Sequence, residues 1–216
     1  MTPQAVAFDL DGLMFNTEDL YIEVGTELLR RRGCTFENDL REKMMGRPSR
    51  IALQLMIDHH QLDATVDILQ SETDEIFADL LPRKLTPLPG LMDLLAALEA
   101  RDIPKSVCTS SRRSFVDRVL PQFELESRFA FILTSEDVTH GKPHPEIYQT
   151  AAARFGVEPA AMLVLEDSEN GVRSGVQAGA ITVAIPGGHI TRRHYPGAAL
   201  TVDSLQDPRL WELLAI

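Results

Sequence analysis

No apolar run in this sequence approaches the roughly 20 residues that a membrane-spanning helix needs. The longest candidates, such as Leu91 to Leu98, are short and amphipathic. Cysteine is scarce. Cys34 and Cys108 lie far apart with no CxxC spacing, which excludes a disulfide scaffold and leaves two idle or buried thiols in a reducing compartment. Positive charge is also in deficit: Lys and Arg total 21 against 32 Asp and Glu, a formal net charge of −11. Such a surface repels phosphate backbones and anionic lipid, so no nucleic acid and no membrane is expected as a partner. After Met1 the chain enters a strand-like segment with no basic region ahead of an apolar one, so no export signal is expected and the expected location is cytoplasmic. The histidines form no ligand-bearing pattern. His59 and His60 are adjacent and would diverge on a helix. His140 and His144 are four apart, but Gly141, Pro143 and Pro145 make that stretch a loop, and a zinc site is not expected.

What remains is ordinary globular material: 216 residues, 44% hydrophobic and 25% charged, enough for one to two domains with a sizeable core. Short apolar runs alternate with longer helical patterns. Val6–Leu10, Lys105–Thr109, Phe129–Thr134, Met162–Leu165 and Ile181–Ile185 read as buried strands. Leu91–Arg101, Ser114–Leu120, Glu146–Phe155 and Gly171–Ala178 read as helices, with Pro145 suited to a first turn and Gly156 to a C-cap. This alternation predicts an α/β fold, a doubly wound parallel sheet with helices on both faces. One region departs from it. From about Thr17 to Leu81 the patterns are helical only, with Thr17 as N-cap, Pro48 as a helix start, Ile51, Leu55 and His59 on one face, and Ile68, Ile76 and Leu80 on another. The stretch Leu81–Gly90, with Pro82, Pro87 and Pro89, reads as a linker that cannot be continuous helix. An all-helical domain, residues 16–82, is therefore expected inside a core formed by 1–15 and 83–216.

Parallel sheets bind ligands beyond the carboxyl ends of their strands. The first strand is followed by Asp9-Leu10-Asp11-Gly12, where Gly12 lets the backbone turn and both acids face one pocket. The second is followed by Thr109, Ser110 and Ser111, hydroxyls at a strand-to-helix junction that suit an anion. A rigid Gly141-Lys142-Pro143 loop comes after the third strand, and Glu166-Asp167-Ser168 after the fourth. Each alone is equally an acidic turn, an N-cap cluster, a surface lysine or a helix-start acidic pair. Together they place carboxylates that would repel one another unless a cation neutralised them, and an all-oxygen site suits Mg²⁺. A cation, a lysine and hydroxyl donors suit phosphate, and the implied reaction is phosphoryl transfer.

Four segments, in order, resemble the haloacid dehalogenase superfamily. They are Phe8-Asp9-Leu10-Asp11-Gly12-Leu13-Met14-Phe15-Asn16-Thr17-Glu18, Thr109-Ser110, Gly141-Lys142-Pro143-His144-Pro145-Glu146-Ile147-Tyr148 and Leu165-Glu166-Asp167-Ser168-Glu169-Asn170-Gly171. The likeness is to phosphatases with a helical cap inserted after the first strand of a Rossmann-like core, in a β-phosphoglucomutase-like and pseudouridine-5′-phosphatase-like subgroup. It implies a Mg²⁺-dependent phosphomonoester hydrolase for a small phosphorylated metabolite, working through an aspartyl-phosphate, most simply as a monomer. Asp9 would be the nucleophile and Asp11 the acid and base. Thr109 and the amide of Ser110 would hold a phosphoryl oxygen, and Lys142 would balance charge. Asp9, the carbonyl of Asp11 and Asp167 would hold the metal, and Glu166 would bind it or orient its sphere. From the cap, Tyr21, Gly46 and Arg47 would meet the substrate.

The resemblance leaves a mutase as the alternative. The mutase carries a histidine early in its cap helix, and counting from Asp9 that position is Tyr21 here. A tyrosine with a pKa near 10 shuttles protons poorly at neutral pH, which favours hydrolysis. A non-catalytic binding module is a further alternative, opposed by the presence of every expected catalytic side chain. A dinucleotide-binding dehydrogenase is opposed by acids standing where a G-x-G-x-x-G turn would be.

Overall fold

The computed structural model describes residues 2–44, 47–187 and 194–216. In chain order these form β1 (Ala5–Phe8), α1 (Thr17–Arg30), α2 (Asn38–Met44), α3 (Ser49–His60), α4 (Val66–Lys84), α5 (Leu91–Glu99), β2 (Lys105–Cys108), α6 (Arg113–Val119), β3 (Phe131–Leu133), α7 (Glu146–Phe155), β4 (Met162–Glu166), α8 (Glu169–Gln177), β5 (Ile181–Ala184), β6 (Leu200–Thr201) and α9 (Pro208–Leu214). The chain divides into two compact units, Thr17–Leu85 and the remainder.

The larger unit is a parallel sheet of six strands in the order β3-β2-β1-β4-β5-β6. Its inner strands β1, β2 and β4 are buried throughout, while β3 and β6 at the edges are partly exposed. Continuous apolar burial of this kind belongs to a sheet covered on both faces. One face packs Ile147, Tyr148, Ala151 and Ala152 of α7 against Ala5, Ala7, Cys108 and Val164. Gly156, with φ at 71°, closes α7 with its N–H on the carbonyls of Ala152 and Ala153. The strand β1 stops at Phe8, two residues short of the expected Leu10, because Gly12, with φ at 76°, and the Gly12 N–H bond to Phe15 O begin a turn there. Asp9 and Asp11 thereby fall beyond the strand. β6 was not expected; its two residues carry no period.

In the smaller unit α1 and α4 pack together through Leu20, Val24, Leu28 and Leu29 on one helix and Leu69, Ile76, Phe77 and Leu80 on the other. Arg32 reaches Glu72 with two bonds, 2.9 and 2.6 Å. Three sequence expectations need correction here. Ile68 is half exposed and Leu69 takes its place, since a seven-residue step to Ile76 returns to within roughly 20° of one face whereas eight residues drift by roughly 80°. On α3 the buried residues are Leu53 and Met56, and Ile51 and His59 face outward. Finally, α4 runs through Pro82 to Lys84, so Leu81–Lys84 is helix. Pro82 sits in the last turn, where few bonds remain to be lost, and the Leu85 N–H closes the helix on Leu81 O.

Candidate active site

The carboxyl ends of β1, β2 and β4 and the loop after β3 converge on Asp9. The Asp9 N–H continues the β1–β4 ladder by donating to Leu165 O at 3.0 Å, and the Thr109 N–H likewise donates to Leu133 O. These bonds fix the backbone at the point where side chains must be placed accurately. Lys142, on the loop after β3, reaches Asp9 Oδ1 at 2.5 Å, Glu166 Oε1 at 2.6 Å and Cys108 O at 2.8 Å. All three are buried polar contacts: the lysine side chain is 5% exposed and that of Glu166 0%.

Asp11 is held by the segment that follows β2. Ser111 Oγ donates to its Oδ2 at 2.6 Å and Thr109 Oγ1 lies 3.4 Å from the same oxygen. The Ser111 N–H in turn donates to Thr109 Oγ1 at 3.0 Å, which sets the threonine rotamer. Asp167 is buried beside Glu166, and Tyr195 Oη donates to its carbonyl at 3.1 Å. Ser168 caps α8 by accepting from the Gly171 N–H at 3.1 Å, which starts the helix directly behind the two acids.

Burial pushes the Asp9 carboxyl up to about 8; Lys142 opposes this, and Glu166 and Asp11 add to it. For Lys142 burial works against the ammonium, but Asp9 and Glu166 outweigh it and hold the group protonated. Asp9, Glu166 and Asp167 each offer a carboxylate oxygen within 4.8 Å of the others. A buried, all-oxygen set with more negative than positive charge fits a hard divalent cation.

The core residues of the sequence reading, Asp9, Asp11, Thr109, Lys142, Glu166 and Asp167, thus come together, with Ser110 exposed beside Thr109. Within the helical unit, the Tyr21 ring stacks 4.8 Å from that of Phe77, and Arg47 Nε donates to Lys43 O at 2.6 Å. Gly46 lies outside the described residues. Sequence reasoning did not single out Ser111 as a partner of Asp11 or Tyr148 as a partner of Glu166, which accepts from Tyr148 Oη at 2.6 Å. His140 and His144 lie on the loop before α7, as expected, and have rings 4.6 Å apart, with His140 Nδ1 3.0 Å from Glu146. Among the described residues no helix is long and apolar enough to cross a membrane.

A parallel sheet carrying acids, hydroxyls and one lysine at its strand ends defines a hydrolase of the haloacid dehalogenase-like class, and the family model of that description matches residues 6–185. The chain belongs to this family. Among its relatives is the Drosophila melanogaster protein named probable pseudouridine-5′-phosphatase, 32% identical over 93% of this chain and 89% of that one. The phosphorylated carbohydrates phosphatase of Thermotoga maritima is 30% identical over 82% of each chain. In fold the chain is similar to phosphate-bound CbbY from Rhodobacter sphaeroides, with a TM-score of 0.81 at 23% identity over 95% of this chain and 96% of that one.

Proposed function

We propose that this chain hydrolyses the phosphomonoester of a small phosphorylated metabolite, a sugar phosphate or nucleotide-like compound, with Mg²⁺ bound by Asp9, the carbonyl of Asp11 and Asp167. The observation that carries this reading is the buried contact of Lys142 with Asp9, next to Asp11 and its hydroxyl donors. Bound Mg²⁺ supplies charge neutralisation at the nucleophile and the phosphoryl oxygens.

The chain's own groups would act as follows. An Asp9 oxygen attacks phosphorus, forming an acyl-phosphate bond while the ester P–O bond breaks. Asp11, in its acid form, gives its proton to the departing alcohol oxygen. Asp11 then takes a proton from water, whose oxygen attacks phosphorus and releases inorganic phosphate from Asp9. Thr109 Oγ1 and the Ser110 N–H hold a phosphoryl oxygen, and Lys142 offsets the charge shared by Asp9 and phosphate. The names of the relatives make pseudouridine-5′-phosphate and phosphorylated carbohydrates the first substrates to try. Hydrolysis is favoured over mutase chemistry because the cap residue counted from Asp9 is Tyr21, whose ring packs on Phe77.

The test is a screen of phosphorylated metabolites with and without Mg²⁺, using wild type, Asp9→Asn and Lys142→Ala, with β-glucose-1-phosphate as the mutase control. Mg²⁺-dependent phosphate release by wild type, lost in both variants, is expected. Turnover by Asp9→Asn at the wild-type rate refutes the mechanism, and rapid formation of glucose-6-phosphate establishes the mutase instead. A folded wild type with no turnover on any phosphoester is a binding module.

A further inference from the structure

The ammonium that faces Asp9 has its three N–H groups committed to three acceptors: Asp9, Glu166 and the Cys108 carbonyl. A lysine stem has four rotatable bonds, so this geometry persists only if the acceptors are themselves immobile. The Asp9 backbone is fixed by the β1–β4 ladder and the Cys108 carbonyl by β2. Glu166, like Asp9, accepts through a side-chain carboxylate, and it is seated by residues that take no part in the proposed reaction. Tyr148 Oη donates to its Oε1 at 2.6 Å, the same oxygen that receives Lys142. Ser168 donates to its Oε2 through Oγ at 3.2 Å and through N–H at 3.4 Å. A carboxylate has about four lone-pair sites, and four donors fill them. Gly171 completes the seat, because a Cβ there would lie 1.9 Å from the Glu166 carboxyl carbon.

We propose that Tyr148 is a positioning residue that, through the Glu166 carboxylate, holds Lys142 against Asp9. The proposal rests on the reading of Lys142 as the partner of the Asp9 nucleophile. Tyr148 suits this role physically. Its ring is rigid, fully buried on α7 and centred 5.0 Å from Lys142 Nζ, so it supports the ammonium from its face. Oε1 is shared by two donors at 2.6 Å, which opposes rotation of the carboxylate away from Lys142.

The experiment uses Tyr148→Phe, which deletes the hydroxyl and keeps the ring, together with Glu166→Ala and the double variant. Turnover is measured per folded molecule, and Mg²⁺ affinity is measured by calorimetry in the absence of substrate. The expected result is a fall in kcat of about tenfold for Tyr148→Phe, the factor that about 1.4 kcal/mol of lost transition-state stabilisation gives, with Mg²⁺ affinity unchanged. In the Glu166→Ala background the same change costs nothing, since its route to Lys142 is gone. A merely structural tyrosine would lower stability and leave kcat per folded molecule intact, which overturns the proposal. So does a Tyr148→Phe loss that persists in the Glu166→Ala background. Should Tyr148→Phe not fold, Gly171→Ala displaces the same carboxylate independently, and wild-type kcat there overturns the proposal. Lys142→Ala separates the two readings: full activity in that variant removes the proposed reaction itself, whereas a dead Lys142→Ala with an unimpaired Tyr148→Phe removes only the positioning role.

Discussion

Gly171→Ala sets local helix preference against packing at one atom. Residue 171 is the third residue of α8, and alanine in a helix interior is favoured over glycine by about 0.8–1 kcal/mol. On that ground alone the substitution stabilises. The new Cβ, however, would lie 1.9 Å from both Cδ and Oε1 of Glu166 and 2.0 Å from Oε2, where ordinary contacts begin above 3.4 Å. Glu166 is 0% exposed and its carboxylate is held by Lys142, Tyr148 and Ser168. Overpacking of this kind costs about 1–3 kcal/mol, and each bond lost from Glu166 to Lys142 or Tyr148 costs about 1.5–3 kcal/mol because a charge is involved. With one such bond lost, the net is a destabilisation of about 1.5–5 kcal/mol after the helix gain is subtracted. For a chain of this length that corresponds to a fall in Tm of roughly 3–20 °C. Thermal unfolding by circular dichroism, with turnover of p-nitrophenyl phosphate at 25 °C, measures both consequences. A raised Tm with unchanged kcat would show that Glu166 moves freely, and the account of its seat would be wrong.

Two further outcomes follow from charges elsewhere in the core unit. Asp167→Asn is expected to abolish the rise in Tm that Mg²⁺ gives to the wild type, read by thermal shift with and without the cation; an undiminished rise would take Asp167 out of the metal set. Glu99 accepts from Arg128 at 2.8 Å twice and pairs with the buried Lys105 at 2.8 Å. The Arg128 bonds, opposed by partial burial and aided by Lys105, hold its carboxyl down at about 2. A depressed acid contributes stability that is complete above its unfolded pKa, near 4.5, and lost as pH falls from there toward 2. The Tm difference between wild type and Glu99→Gln is therefore expected to stay constant above about pH 5 and to shrink at pH 4 and 3. A difference that does not change with pH would assign the effect to packing.

The strand ends were legible because a charge or hydroxyl interrupts each apolar run at the place where the pocket begins. Asp9 after Phe8, Thr109 after Cys108 and the Glu166-Asp167 pair at the end of β4 are visible as changes of residue type. Helix faces were less legible. Ile51 and Ile68 are apolar yet about half exposed, so spacing by fours selected the wrong face of α3 and a drifting one of α4. Pro82 carries a strong breaker signal, but at the last turn of a helix the signal costs little. The Tyr148–Glu166 contact left no trace in the sequence, because it joins residues 18 apart and depends on how α7 packs on the sheet. A tyrosine in a helix reads as core, and its hydroxyl acquires meaning only when a buried acceptor is placed opposite it.

The site is also where this fold is expected to give up stability, and Asp9 offers the most direct test. An acid whose carboxyl is pushed from 3.8 up to about 8 by burial, against the pull of Lys142 and with Glu166 and Asp11 adding to it, is ionised at neutral pH only at the expense of the folded state. The sign follows from linkage: with the folded pKa above the unfolded one, stability is greatest below about pH 4 for this group and falls as pH rises toward 8. Asparagine keeps the shape of the side chain and an oxygen for Lys142 while removing the charge. Lys142 retains Glu166 and the Cys108 carbonyl, so it is not left unpaired. Asp9→Asn is therefore expected to raise Tm at pH 7 in the metal-free protein while abolishing turnover, and Mg²⁺ is expected to narrow the gap by stabilising the wild type more. The comparison requires unfolding curves for both proteins in EDTA and in Mg²⁺. A metal-free Asp9→Asn less stable than wild type would mean that the Lys142–Asp9 pair contributes more to the fold than the crowding of carboxylates costs. The charge cluster would then be a structural ion pair first and a reactive site only incidentally.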